Sequence, residues 1–276
     1  MRVLSWNLYH GRDFPPDPAL FTLRSRLLRR GERNATHVQV NRVLLDEFAR
    51  VLDGLDWDVA LLQEAPPRWF AELGRRTRSS GVLVRTSRNL PGPLESLQRL
   101  LANWNPDLIA SSEGGSNQIL VRHPGRVIDH RRLTLARRPE QRRMHWAWLE
   151  LPEGRVCVAN LHASAGLPER AAAEVVRAAE RAVEWSDAQP LVFGGDFNVR
   201  PARNPEPFDE LRDRLGLAAP TAPGAIDHLL ARGLEVVKRP RRLAPERREL
   251  IEPGGLRLRL SDHAPVAAAF RLPGLR

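Results

Sequence analysis

Six short segments constrain this chain more than any other feature, because in each an apolar run meets residues that strands avoid. They are Leu4-Ser5-Trp6-Asn7, Leu61-Leu62-Gln63-Glu64, Val158-Ala159-Asn160-Leu161-His162, Val192-Phe193-Gly194-Gly195-Asp196-Phe197-Asn198, Ala225-Ile226-Asp227-His228 and Leu260-Ser261-Asp262-His263. Asp and Asn are depleted in strand interiors, and burying a charge without a partner costs on the order of several kcal/mol. One such residue reads as a turn or a surface ion pair. Six, each beside an apolar run, point to a fold in which strand ends converge on one polar cleft.

The rest of the pattern supplies the strands. Residues 3–9 alternate as a first strand, with Leu4, Trp6 and Leu8 on one face. Asp17-Pro18 reads as a helix start, followed by Leu20, Leu23, Leu27 and Leu28 at helical spacing until Gly31, with Arg24, Arg26, Arg29 and Arg30 on a solvated face. A second amphipathic helix is expected over 38–53, with Val40, Val43, Leu44, Phe48, Val51 and Leu52 inward, running into a buried strand that ends at Glu64. Residues 65–116 read as short helices and loops such as Asn89-Leu90-Pro91-Gly92-Pro93. Strands follow at 117–122, 126–135, 143–151 and 155–162, then a helix at 168–185 and strands at 190–197, 226–230, 234–238 and 264–271. Strands outnumber helices and come in adjacent pairs rather than strict alternation. That predicts an α+β fold of packed sheets. No repeat or linker divides residues 1–276, which read as one domain able to bury a large core without staples.

The formal charge of +10 suits a polyanionic partner such as nucleic acid, a phosphorylated small molecule or an anionic membrane face. Lys238 is the one lysine among 43 basic residues, so the surplus also reflects an Arg-, Ala- and Pro-rich composition. No patch interleaves Arg with aromatics as a single-strand stacking platform does. The single cysteine, Cys157, rules out a disulfide framework and a multi-cysteine zinc cage. With no secretory apolar core and no run near the ~20 residues of a membrane span, the expectation is a cytoplasmic monomer. Trp6, Trp146 and Trp148 read as core, Cys157 as an inert buried thiol, and Arg142 and Arg143 as bordering the cleft. His10, His37, His123, His130, His145 and His228 read as surface or structural.

The strand-end set has a specific chemistry. Carboxylate and amide oxygens without thiolate suit a hard cation, Mg²⁺ or Mn²⁺, for which Glu64 with Asp262 or Asn7 would suffice. His162 and His263 can donate to phosphoryl oxygens whose charge grows in a transition state. Asp196 can orient or deprotonate a water, with Asn198 on the same strand face fixing its geometry. Together these are the parts of a metal-assisted phosphoester hydrolase.

Ser-Trp-Asn7, Leu-Gln-Glu64, Asn-Leu-His162, Gly-Gly-Asp196-Phe-Asn198, Ile-Asp227-His and Ser-Asp262-His263 resemble, in order, the motifs of the endonuclease/exonuclease/phosphatase superfamily, the deoxyribonuclease I-like fold. The resemblance runs from the first strand to the last. It implies a four-layer α/β/β/α sandwich of two mostly antiparallel sheets, with a cleft at one sheet edge. It also implies Glu64 as principal Mg²⁺ ligand with Asn7 nearby and Asp262 beside the metal. Asp196 and Asn198 would position water and phosphate, and His162 would contact the phosphate or protonate the leaving group. Asp227 would orient His263, and how His263 and Asp196 share acid and base roles is left open. Asn117, in Ser-Asn117-Gln-Ile-Leu-Val-Arg, resembles a family strand residue that reaches the scissile phosphate.

Departures narrow the subfamily. Tyr9 and Pro66 stand where abasic-site endonucleases carry aspartate and lysine, and the paired cysteines of secreted deoxyribonuclease I are missing. Motifs of inositol polyphosphate phosphatases and sphingomyelinases are not found. The leading expectation is a phosphodiesterase or nuclease acting on nucleic acid, DNA favoured. The alternatives are hydrolysis of a small phosphorylated metabolite or phospholipid head group, and an inactive polyanion-binding protein.

Overall fold

Two strand–helix–strand units organise the computed structural model, which describes residues 1–86, 100–109, 114–138 and 140–274. In chain order the principal strands are β1 (Arg2–Asn7), β2 (Val59–Ala65), β3 (Ser79–Thr86), β4 (Gly115–Arg122), β5 (Arg126–Ala136), β6 (Arg142–Leu151), β7 (Gly154–His162), β8 (Leu191–Asp196), β9 (Asp227–Arg232), β10 (Glu235–Arg242) and β11 (Val266–Arg271). The helices that cover them are α1 (Leu45–Gly54), α2 (Phe70–Arg76), α3 (Pro168–Ser186) and α4 (Glu206–Asp213). One sheet runs β10-β11-β1-β2-β4-β3 and the other β9-β8-β7-β6-β5. Each has one parallel pair, β1 with β2 and β7 with β8, and the remaining pairs are antiparallel. A parallel pair needs a long crossover, and α1 and α3 supply it.

Side-chain alternation builds the layers. Along β1, Leu4 and Trp6 face α1, which buries Phe48, Ala49, Val51 and Leu52 against them. Val3, on the other face, joins Val59, Leu61, Ile119, Val158, Val192 and Leu229 between the sheets. On the far side α3 lays Ala171, Val175, Ala178, Ala179 and Ala182 over Trp146, Ala159, Leu161 and Phe193. The result is the expected helix–sheet–sheet–helix sandwich. Trp6 and Trp146 are buried as core, and burial pushes the Cys157 thiol up to about 11.

Two helices depart from the pattern. After Asp17 the chain makes a single 3₁₀ turn at Pro18–Leu20, then a short helix at Leu23–Leu28 that Thr22 caps and left-handed Arg29 (φ 55°) ends. Only Leu20 is buried; Leu23, Leu27 and Leu28 are 73%, 58% and 62% exposed. The helix expected from residue 38 begins at Leu45, because Val38–Gln39 pairs with Glu32–Arg33 and Asp13 accepts the Val40 N–H. Strand β3 and the hairpin Glu249–Ile251/Arg257–Arg259 were not anticipated. The Asn89–Pro93 loop lies outside the described residues. Among those described, no helix is long and apolar enough to cross a membrane.

Candidate active site

Parallel strands end at the same edge, so each parallel pair delivers two strand-end residues side by side. Asn7 lies across from Gln63, and His162 from Asp196, which in turn pairs with Asp227 on β9. β11 runs antiparallel to β1, with Val266 opposite Ser5, so Ser261-Asp262-His263 just before it reaches that edge too. The last motif is latched to the first: the Trp6 indole donates to the His263 carbonyl at 2.9 Å, and Ser261 Oγ donates to the Asn7 carbonyl at 2.6 Å. Ser261 Oγ also accepts the His263 N–H.

Two backbone devices aim the side chains. Glu64 sits at a register break between Leu62 and Ala65 with φ 47°. Strict alternation would send it toward α1, and the bulge turns it over the edge instead. Gly195 has φ +132°, and a Cβ there would stand 1.9 Å from the Leu161 carbonyl oxygen. Only glycine lets β8 lie that close to β7 and bring Asp196 beside His162.

The side chains form one connected cluster. Asn7 Nδ2 donates to Asp196 Oδ2 at 3.0 Å, and the Asn198 N–H donates to Asp196 Oδ1 at 3.1 Å. His162 Nε2 lies 3.6 Å from both Asp196 Oδ2 and Glu64 Oε1. His263 places Nδ1 2.8 Å from Asp227 Oδ2 and Nε2 3.7 Å from Asp196 Oδ2. Asp262 Oδ1 is 4.0 Å from the same Nε2. On the far wall Arg142 bridges Glu140 at 2.7 Å and His162 Nδ1 at 3.0 Å. The same Arg142 nitrogen lies 3.3 Å from His162 Nε2, so the guanidinium caps the ring edge while Nε2 faces the two carboxylates.

Burial and charge set the protonation states. Burial pushes Asp196 above the usual carboxylate range, against the pull of His263. Burial alone would lower His263, but Asp227, then Asp196, and Asp262 raise it. Burial and Arg142 bring His162 down to about 3, and burial lowers His10. Burial also disfavours ionised Glu64, yet His10, His162, His263 and Arg142 hold it at about 2. With His10 and His162 neutral near pH 7, His263 and Arg142 are the cations that remain beside it. Burial raises Asp262.

Asn7, Glu64, His162, Asp196, Asn198, Asp227, Asp262 and His263 therefore meet in one place. Asn117 stands apart: it is fully buried, and its Nδ2 donates to the Arg143 carbonyl at 2.8 Å. His10, read from the sequence as structural, lies 3.3 Å from Glu64. Its only sequence signal is its place in the turn after Asn7, closed by Gly11. Among the described residues, Asp196, Asp227 and His263 are the acid and imidazole group whose ligand atoms lie within 4.8 Å of one another. His263 spends that closeness on its bond to Asp227, and a protonated ring is not a ligand. The donors that fit a hard cation are Glu64, held ionised, the Asp262 carboxylate, and Asn7 Oδ1, which accepts only the Tyr9 N–H and keeps a lone pair.

The sequence profile of the Endonuclease/Exonuclease/phosphatase family matches residues 4–263. No curated protein matches the sequence. Solved structures share the fold at low identity. The mannosyl-6-phosphatase of Bacteroides thetaiotaomicron is 15% identical, with a TM-score of 0.64 over 98% of this chain and 99% of that one. The human Nocturnin catalytic domain with bound sulfate is 16% identical, with a TM-score of 0.60 over 98% and 92%. The D. rerio TDP2 complexed with single-strand DNA product is 14% identical, with a TM-score of 0.55 over 98% and 98%.

Proposed function

Because the chain belongs to the Endonuclease/Exonuclease/phosphatase family, whose members hydrolyse phosphoesters, we propose that it is a divalent-metal-dependent phosphodiesterase acting on nucleic acid, DNA favoured. The observation that carries this reading is the convergence of Glu64, Asp196, His162 and the Asp227–His263 pair at one sheet edge.

Each residue has a task there. Asp196, with one oxygen held by Asn7 and the other by the Asn198 N–H, accepts a proton from the attacking water. His263, charged and oriented by Asp227, and His162, whose Nε2 faces Glu64 and Asp196, donate to the phosphoryl oxygens on which charge develops. Asn198, whose Nδ2 bonds the Ala163 carbonyl, keeps the turn after β8 closed over Asp196. Glu64, with Asn7 and Asp262, would hold Mg²⁺ or Mn²⁺. When bound, the cation supplies positive charge against the developing phosphoryl charge. The buried Asn117 spends one Nδ2–H on the Arg143 carbonyl and keeps the second for a phosphate.

The distribution of cations favours a long polyanion. Arg200 and Arg242 line a cleft beside Asp227, Asp262 and His263, and the edge strand β10 carries that charge on into a groove with Lys238, Arg241 and Arg247. Arg142 stands on the opposite wall. A basic strip that runs up to the catalytic cluster matches a chain of phosphates better than a single ester. The fold is shared with a mannosyl-6-phosphatase, so a small phosphate ester is the second reading.

A substrate panel tests the proposal: single- and double-stranded DNA, RNA, phosphate monoesters and phosphoinositides, each with Mg²⁺, Mn²⁺ or chelator. The expected result is cleavage of a nucleic acid, lost in chelator and in Glu64→Gln and His263→Ala. Turnover that persists in chelator overturns the metal assignment, and turnover confined to monoesters overturns the substrate.

A further inference from the structure

A second group of cations lies outside the catalytic cluster. β3 and β5 are the edge strands of their sheets and face each other across the open side of the sandwich. Between them is a cavity of about 400 Å³ lined by Leu83, Val84, His130, Arg132, Arg143 and His145, together with the backbone of Arg85. Arg132 pairs across the strands with His145, and His130 with Ala147, so these side chains share the face that looks between the sheets.

The charges in this cavity are unbalanced. Arg143 is half-buried, gives one η nitrogen to the Arg85 carbonyl at 3.0 Å, and leaves its ε nitrogen buried without a partner. Burial lowers it, and so do its neighbours Arg132 and Arg137, with no carboxylate among the opposing influences. His145 is fully buried, with Nε2 3.4 Å from His130 Nδ1. Among the described residues, no acid pairs with Arg132 or Arg143. Arg131, next in sequence, is accounted for, because it stacks on Trp146 and meets Asp129 on the other face. An Arg-rich composition explains exposed arginines. It does not explain a half-buried guanidinium whose ε nitrogen is buried with no partner, beside Arg132 and His130 and with no carboxylate lining the cavity among the described residues.

We propose that this cavity is a phosphate-binding subsite, in which Arg132, Arg143 and His130, backed by the buried His145, hold a phosphoryl group other than the one being hydrolysed. Its volume admits a phosphate with part of a sugar. It adjoins the catalytic cluster through β6, where Arg142 reaches His162 and the next residue, Arg143, lines the cavity. The buried Asn117 lies between them, bonded to the Arg143 carbonyl and 3.3 Å from His145 Nδ1. The occupant's role as a second group of the substrate rests on the phosphoester reading of the active site; the anion site itself does not.

The test is a titration of the whole chain with inorganic phosphate in chelator, followed by the ring resonances of its histidines, in wild type and in Arg132→Glu. The Arg132 side chain is exposed and makes no hydrogen bond or ion pair among the described residues, so that variant keeps the structure. The expected result is displacement of the His130 and His145 signals in wild type and at least about tenfold weaker displacement in Arg132→Glu, the loss expected for one charge-assisted contact. Signals of His130 and His145 that stay still while those of His263 move overturn the subsite. The occupant's source is then read from kinetics. A KM raised by Arg132→Glu for an oligodeoxynucleotide but not for a phosphate monoester, with kcat unchanged, identifies a backbone phosphate. An unchanged KM for both, with the ring displacement intact in wild type, identifies free phosphate. The ring signals need no turnover, so failure of the hydrolase reading and failure of this one are distinguishable.

Discussion

In the proposed mechanism Asp227 does not face the reacting phosphate; it would work through His263, whose Nδ1 it holds at 2.8 Å. Replacing it by Asn keeps the shape and removes the charge that keeps the ring protonated. Asp227→Asn is expected to lower kcat by about 100-fold or more while leaving KM near its wild-type value, as steady-state kinetics will show. His10→Ala removes a neighbour of Glu64 without touching a proposed ligand. It is expected to raise the Mg²⁺ concentration for half-maximal activity by about tenfold, the usual scale for losing a group that orients a ligand. At this scale, what could be read from the sequence depended on context. Asn7, Glu64, His162, Asp196 and His263 each stand beside an apolar run, and that made them stand out. His10 sits in a left-handed turn that only Gly11 marks, and Arg142 was legible as bordering the cleft from its place at a strand start, whereas its bond to His162 was not.

Between the sheets, Asn160 does for the strands what Asp227 does for His263. Its Nδ2 donates to the carbonyls of Leu62 and Gln118, and its Oδ1 accepts from Gln63 Nε2 at 2.7 Å. Gln63 and Asn160, each one or two residues before a site residue of its motif, therefore stitch the sheets together rather than enter the site. Asn160→Leu leaves those partners buried and unsatisfied, and is expected to lower stability by about 3 kcal/mol, measurable as a fall in the urea midpoint at constant slope. Elements whose apolar alternation matched their burial, such as β1, β7 and β8, were legible to within a few residues. The leucines after Asp17 kept helical spacing but have no layer to pack on, and spacing alone does not reveal whether a partner exists. β3 is an edge strand with mixed burial, so its alternation was weak.

For the molecule as a whole, two dependences on solution conditions follow. If the proposed substrate is right, the basic strip beside the cleft would make oligonucleotide binding electrostatic, so log KM is expected to rise linearly with log salt, whereas a small ester would show little slope. Acid lowers stability through buried neutral histidines. His228 packs between Phe197 and Phe208, lies 3.2 Å from the Val199 carbonyl, and is brought down to about 4, first by burial. The unfolded chain takes up that proton near the ordinary value of 6.5 and the folded chain only near 4. The stabilising difference is complete above the higher value and is lost as pH falls between the two, roughly 3 kcal/mol in all. His228→Gln is expected to flatten that part of the stability–pH curve in urea titrations from pH 7 to 4.

The latch between Trp6, Asn7 and the Ser261-Asp262-His263 stretch has a temporal meaning. On a ribosome, residues 1–200 emerge with most of the core and with Glu64, His162 and Asp196 already made, yet without the imidazolium that faces them. On the proposed reading, hydrolysis would begin only when the Val266–Arg271 strand docks beside the first, so a half-made chain would carry the scissors without the rivet.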